Sequence, residues 1–90
     1  MTQEERENLF IIQTDIMNIG CAFSNYIRPT LSHEESNHLS ELFLANEYGE
    51  AMYFVNWMIS EGKLKINDES GGYLNKITDL IRQVEKIYSV

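Results

Sequence analysis

The sequence is poor in residues that crosslink a chain or interrupt a helix. Its 90 residues include one proline, Pro29, and one cysteine, Cys21, so no intrachain disulfide can form. No apolar run approaches the roughly 20 residues that span a bilayer. The first ten residues, MTQEERENLF, lack the basic and then apolar order of a secretion signal. We therefore expect a single domain over residues 1–90 that stays in a reducing, cytoplasmic compartment.

Basic residues are also scarce, and the shortage is concentrated in one region. Seven Lys and Arg face fourteen Asp and Glu, which gives a net charge of −7. Between Arg28 and Lys63 there are six Glu and neither Lys nor Arg. Such a chain repels phosphate backbones and anionic lipid and favours a basic partner. We therefore expect neither nucleic acid nor a membrane as a direct partner.

What the sequence has is apolar residues at helical spacing. A capping box of Thr2 and Glu5 predicts the start of the first helix, and Pro29 predicts its end, so we expect a helix over about 3–27. Its apolar stripe is formed by Leu9, Ile12, Ile16, Ile19, Phe23 and Ile27. A second line on another face is formed by Phe10, Met17 and Cys21. Two apolar faces indicate that this helix lies at the centre of the bundle.

A second capping box and a short corner organise the middle of the chain. Ser32 and Glu35 predict a helix over about 33–45. The stretch NEYGEA then interrupts the pattern, and we expect Gly49 to let the chain turn into the next helix.

Two more helices complete the predicted fold. The third covers about 48–61 and ends at Gly62, which suits the position just after a helix. In the connection KLKIND, Ile66 is expected to tuck under the bundle, and Asn67 or Asp68 to cap a last helix over about 68–88. The fold class is therefore all-α, an antiparallel four-helix bundle.

Residue patterns for catalysis or metal binding fail on geometry. In HEESNH, His33 and His38 lie five residues apart, about 140° round a helix, and cannot hold one ion from a single face. Cys21 has apolar neighbours in an acidic chain, which favours a packed thiol over a nucleophile. The clustered Glu residues have neither a histidine partner nor the spacing of an EF-hand, and SGGY lacks the lysine of a phosphate loop. We predict no catalytic residue, no metal and no cofactor, and hence no enzyme.

The third helix is apolar on both sides, which leaves two interpretations open. Tyr53, Phe54 and Trp57 lie together with Glu50, opposite the core positions of that helix. Either a central helix is covered front and back, or an aromatic and acidic strip is exposed. Tyr and Trp are enriched in binding hot spots, and neighbouring carboxylates steer a cationic partner, so an exposed strip would bind protein.

Residues 39–81, LSELFLANEYGEAMYFVNWMISEGKLKINDESGGYLNKITDLI, resemble the small helical immunity proteins of the MafI type and related contact-dependent growth inhibition systems. The shared pattern is an apolar and acidic helix, an xEYGxA corner, a helix that ends near an acidic residue, an isolated Ile and a final helix. Here it is matched by Glu47, Tyr48, Gly49, Ala51, Glu61, Ile66 and the segment from Tyr73 to Ile81.

The resemblance implies a cytoplasmic inhibitor that protects the producing cell from a secreted toxin by stoichiometric binding. Toxins paired with such proteins are often nucleases, including EndoU-type RNases, so the expected partner is a cognate toxin domain with a basic surface. The negative middle third of this chain is the electrostatic complement of a nuclease cleft. When free, the protein is expected to be a monomer or a weak dimer.

The predicted toxin-binding residues lie at the end of the second helix, in the corner and on the outer side of the third helix. Glu41, Glu47 and Glu50 would supply charge, and Tyr53 and Trp57 would supply the buried anchors. The alternative is an acidic helical adaptor or regulator, of a phage or anti-activator type, that binds a host protein. Composition alone does not separate the two.

Overall fold

Four α-helices form the protein in the computed structural model, which describes residues 1–89. They are α1 (Gln3–Ile27), α2 (His33–Leu44), α3 (Tyr48–Ser60) and α4 (Asp68–Tyr88), and a short 3-10 turn, Arg28–Thr30, joins α1 to α2. The predicted all-α architecture and the bounds of α1 and α4 are confirmed. The predictions for α2 and α3 each ran one residue too far. Val90, the last residue of the predicted domain, lies outside the described residues.

Reciprocal capping boxes begin three of the helices, as their sequences indicate. The Thr2 hydroxyl accepts the Glu5 N–H at 3.1 Å, and a Glu5 carboxylate oxygen accepts the Thr2 N–H at 2.9 Å. Ser32 and Glu35 repeat this arrangement at the start of α2. At α4 the cap is Asn67, whose side chain accepts the Ser70 N–H at 2.8 Å. Each cap satisfies backbone donors that the helix leaves free, which stabilises a helix by about 1 kcal/mol.

Two residues with positive φ end α2 and α3. Asn46 has a φ of 60° and Gly62 a φ of 73°. At the first of these ends the Glu47 N–H donates to the Leu42 carbonyl at 2.8 Å, which is the Schellman arrangement. Gly62 was predicted in this role, but the expectation that Gly49 turns the corner is wrong. The left-handed residue must directly follow the helix cap, where Asn is tolerated, and Gly49 already lies inside α3.

The central position predicted for α1 is confirmed, because α1 contacts each of the other three helices. Two hydrogen bonds and an ion pair fix the directions. The Asn67 amide donates to the Tyr26 hydroxyl at 3.0 Å, so the start of α4 meets the end of α1. The Gln13 amide donates to the Tyr48 hydroxyl at 3.4 Å, which places the α2–α3 corner beside the middle of α1. Lys63 pairs with Glu35, so α3 runs back along α2.

The core lies between the inward faces of the helices, and α1 and α2 approach closely at Gly20. Gly20 faces the ring of Phe43 so closely that an added Cβ would overlap it. The core side chains are Ile16, Phe23, Ile27, Leu39, Phe43, Ala51, Val55, Met58, Leu64, Ile77 and Val84. No helix of the described residues is long and apolar enough to cross a membrane.

Two packing expectations are wrong. Phe10 is 72% exposed, because it lies one turn before Gln13, beyond the corner at which α2 ends. In the connection between α3 and α4 the buried residue is Leu64, 3% exposed, while Ile66 is 39% exposed. Leu64 follows directly on the end of α3 and reaches the core, whereas Ile66 rests near Gly71 at the start of α4.

Candidate protein-binding surface

Only one side of α3 is covered by the rest of the protein. Ala51, Val55 and Met58 are fully buried, whereas Tyr53 is 74% and Trp57 40% exposed. The interpretation of α3 as a helix covered front and back is therefore wrong, since α1 takes the central place. The second interpretation, an exposed strip with aromatic side chains, describes the outer side of α3.

The five residues predicted to bind a toxin are all exposed and form what we call the acidic–aromatic face: Glu41, Glu47, Glu50, Tyr53 and Trp57. Glu47, Glu50 and Trp57 follow one another at helical spacing, so they form a ridge about 15 Å long at a rise of 1.5 Å per residue. Tyr53 lies beside this ridge on the side that faces away from the core.

The pairing of α2 with α3 brings Glu41 to the same surface. The rings of His38 and Phe54 meet edge to face with their centroids 4.8 Å apart, and Lys63 Nζ lies 3.0 Å from Glu35 Oε2. These contacts set an antiparallel register in which the turn after His38 lies beside the first turns of α3. Glu41 is in that turn and therefore accompanies Glu50 on the face.

Trp57 is held in place although much of it is exposed. Its ring stacks on Phe54, with centroids 5.9 Å apart and planes 13° apart. Lys63 Nζ lies 5.0 Å from the centroid of the same indole, within the range of a cation–π interaction. Phe54 is held in turn by His38 of α2. A side chain fixed in this way loses less conformational entropy when a partner binds.

The positive charge of Lys63, beside Trp57, is neutralised within the protein. Lys63 pairs with Glu35, whose side chain is only 20% exposed. The Ser32 backbone N–H, and then the Lys63 ammonium, hold the pKa of the Glu35 carboxyl below its usual range. Glu35 therefore stays ionised, and Lys63 does not cancel the charge of the other glutamates.

Most of the negative charge in the middle third is uncompensated. Among the six Glu between Arg28 and Lys63, Glu35 alone forms an ion pair within residues 1–89. The other five are exposed: Glu34, Glu41, Glu47, Glu50 and Glu61. Like charges on one surface sum to a field that attracts a cationic partner over roughly a Debye length, about 8 Å at physiological salt.

Cys21 and His38, the reactive side chains considered from the sequence, each pack against neighbouring side chains. No group of three or more His, Cys, Asp or Glu in the part of the chain that the structure describes could hold a metal ion. Cys21 is half-buried, and burial raises the pKa of its thiol, which disfavours the reactive thiolate. His38 packs on Phe54.

Sequence reasoning missed the residues that support Trp57. Phe54 was placed on the outer side of α3, but its contact with His38 depends on how α2 and α3 align. Glu35 was recognised as a capping residue, and its pairing with Lys63 joins positions 28 residues apart. The aromatic residues on the outer side of α3 were the only signal in the sequence for this cluster.

Comparison with known proteins gives no match to a family model, to a curated protein or to a solved structure.

Proposed function

We propose that this protein is an immunity protein that neutralises a cognate secreted toxin, a basic nuclease such as an EndoU-type RNase, in the cytoplasm. It binds the toxin one to one through the acidic–aromatic face and performs no chemical turnover. Inhibition follows because the bound protein covers the positive surface that the nuclease needs for its substrate.

One observation carries this proposal: large aromatic side chains lie exposed among glutamates that form no ion pair within residues 1–89. Tyr53 is 74% and Trp57 40% exposed on the same helix side as Glu50. Exposure of a Tyr and a Trp leaves apolar area in water, which a solvent-facing helix does not need for folding. Tyr and Trp are also the residue types that most often carry binding energy at interfaces. The combination supports a surface for a protein partner.

The charge of the face supports a basic partner. A nuclease presents cationic groups to the phosphates of its substrate, and a cluster of uncompensated carboxylates is complementary to them. Steering between opposite charges raises association rate constants toward about 10⁸–10⁹ M⁻¹s⁻¹ at low salt. Fast association suits an inhibitor that must reach the toxin before the toxin reaches RNA.

The corner NEYGEA divides into packing and binding residues in a way that fits this proposal. Ala51 is fully buried, and half-buried Tyr48 accepts a hydrogen bond from Gln13. Glu47 and Glu50 are exposed and take no part in the core. Packing therefore accounts for the apolar half of the corner, and partner binding would account for its two carboxylates.

The test is protection of growing cells. The chain is co-expressed with the C-terminal domain of the secreted toxin candidate encoded beside its gene, and growth is scored with and without the chain. We expect growth to be restored, and the double variant Tyr53→Ala/Trp57→Ala to lose protection. The matched control is Phe10→Ala/Tyr88→Ala, which removes two aromatics that are 72% and 63% exposed elsewhere.

Two results would contradict the proposal. The first is failure of the wild-type chain to protect against the adjacent toxin. The second is equal protection by the Tyr53→Ala/Trp57→Ala variant and the wild type. Absence of any toxin gene beside this one, with capture of a host regulator on the same face, would favour an acidic adaptor instead.

A further inference from the structure

The indole of Trp57 already carries a cation that belongs to the protein itself. Lys63 Nζ lies 5.0 Å from the ring centroid and 3.0 Å from Glu35 Oε2. An aromatic face and a carboxylate thus meet on one positive group at the edge of the acidic–aromatic face. This is the combination that recognises a cationic side chain in a partner protein.

We propose that Lys63 is a placeholder that an arginine side chain of the partner displaces. In the complex, the partner's guanidinium stacks on Trp57 and donates to Glu35, and the Lys63 ammonium moves into solvent. The inference rests on the proposed function, since it names the side chain that the same face recognises.

Lys63 can leave without disturbing the fold. Its backbone is fixed by the Schellman arrangement at the end of α3, in which its N–H donates to the Met58 carbonyl at 2.9 Å. Its side chain is 47% exposed and carries the ammonium on four flexible methylene groups, so it can swing away while α3 stays in place. Ion pairs this exposed contribute little to stability, so the fold survives the loss of this one, although the ion pair and the cation–π contact together compete with an incoming cation.

Arginine fits the vacated position better than lysine. A planar guanidinium stacks flat on an indole and keeps N–H groups in its plane for a carboxylate, whereas an ammonium acts as a point charge. Glu35 Oε1 accepts the Ser32 N–H at 3.0 Å, which fixes the carboxylate and leaves Oε2 for the incoming group. Phe54, stacked on Trp57, holds the indole ring in place.

The single Trp of this chain makes the site directly observable, because its fluorescence reports on Trp57 alone. The probe is a blocked hexa-arginine peptide titrated into the full chain, with a hexa-lysine peptide as the comparison. The test variant is Lys63→Met, and Lys65→Met is the matched control. Both variants remove one positive charge, but Lys65 is exposed and does not lie over the indole.

We expect Lys63→Met to bind hexa-arginine about five- to tenfold more tightly than the wild type, because the internal competitor is gone. Lys65→Met should gain about twofold at most, from net charge alone. Hexa-lysine should bind more weakly than hexa-arginine to each protein. Far-ultraviolet circular dichroism confirms the fold, and Lys63→Gln replaces Lys63→Met if that variant is misfolded.

Equal affinities of Lys63→Met and Lys65→Met for hexa-arginine would overturn the placeholder inference. So would weaker binding by Lys63→Met than by the wild type, which would make Lys63 a supporting residue of the site. The outcome is separate from growth protection. A tighter Lys63→Met variant supports the inference even if the chain protects no cell, and equal variants overturn it even if protection is complete.

Discussion

The outer sides of α3 and α4 differ although both helices pack one side against the same bundle. On α4 the exposed charges have both signs, and Asp79 and Arg82 lie 3.6 Å apart at adjacent turns. On α3 the exposed side carries Tyr53, Trp57 and Glu50, and α3 contains neither Lys nor Arg. Mixed charges are what a solvent-facing helix surface needs. The exposed aromatic of α4, Tyr88 at 63%, is the last residue of its helix, whereas Tyr53 and Trp57 lie within α3 beside Glu50.

The buried sides of α3 and α4, by contrast, are alike, because both carry apolar residues into one core. Ile77 and Val84 of α4 and Val55 and Met58 of α3 all enter the same core. Stability therefore depends on the inward faces of every helix, and the proposed binding function on one outward face. Substitutions on the inward and outward faces can therefore change stability and binding separately.

The largest effect on stability is expected where α1 and α2 touch. A methyl group at Gly20 would overlap the ring of Phe43, so Gly20→Ala should lower the free energy of unfolding by about 1–3 kcal/mol. Gly49→Ala in α3 meets nothing within 4 Å and should raise it by about 0.5 kcal/mol. Urea unfolding of both variants measures the difference. A Gly20→Ala protein as stable as the wild type would contradict the close packing described for α1 and α2.

The starts of three helices and the residue that ends α3 could be predicted from the sequence, because they are set by local chemistry. Thr2, Ser32 and Asn67 cap helices through residues three positions away, and Gly62 ends α3 within the same turn. The left-handed Asn46 was missed because Gly49 lay nearby and is the commoner choice for positive φ.

Contacts between distant residues could not be predicted in the same way. Phe10 belongs to the second apolar line of α1 and is nevertheless 72% exposed, because a helical pattern does not show how far the neighbouring helices extend. Helical angles alone place Glu50, Tyr53 and Trp57 on one side of α3, as the structure has them. The cluster that fixes Trp57 depends on the register of α2 against α3, which the sequence pattern does not specify.

The negative charge of the acidic–aromatic face gives a second prediction, about the rate of binding. Glu41→Gln/Glu47→Gln/Glu50→Gln should lower the association rate constant for the cognate toxin domain about tenfold at low salt and flatten its salt dependence. The control, Glu4→Gln/Glu7→Gln/Glu85→Gln, removes the same charge from α1 and α4. Stopped-flow measurement at several salt concentrations separates them. Equal losses in both triple variants would mean that only net charge matters.

A smaller effect is expected from acid. The folded protein holds the pKa of the Glu35 carboxyl below its usual range. In the unfolded chain this pKa is about 4.3. The ionised carboxylate therefore stabilises the fold fully above about pH 4.3, and this stabilisation is lost as the pH falls through the folded pKa. Glu35→Gln keeps a capping side chain but should show a shallower loss of stability below about pH 4.3. Asp15→Asn, exposed in the middle of α1, is the control. Thermal unfolding measured from about pH 3 to about pH 7, an interval that includes the titration of carboxylates, tests this prediction. Identical acid slopes in wild type and Glu35→Gln would contradict the role given to the carboxylate.

The central claim is that the outer side of α3, and not another exposed apolar site, binds the toxin. Its most direct test is the dissociation constant of the cognate toxin domain for Trp57→Ala beside Phe10→Ala, measured by calorimetry on variants of confirmed fold. Trp57 is 40% and Phe10 72% exposed. We expect Trp57→Ala to weaken binding by at least about 2 kcal/mol, roughly 30-fold, and Phe10→Ala to leave it within about twofold. Unchanged binding by Trp57→Ala, or a larger loss with Phe10→Ala, would contradict the assignment.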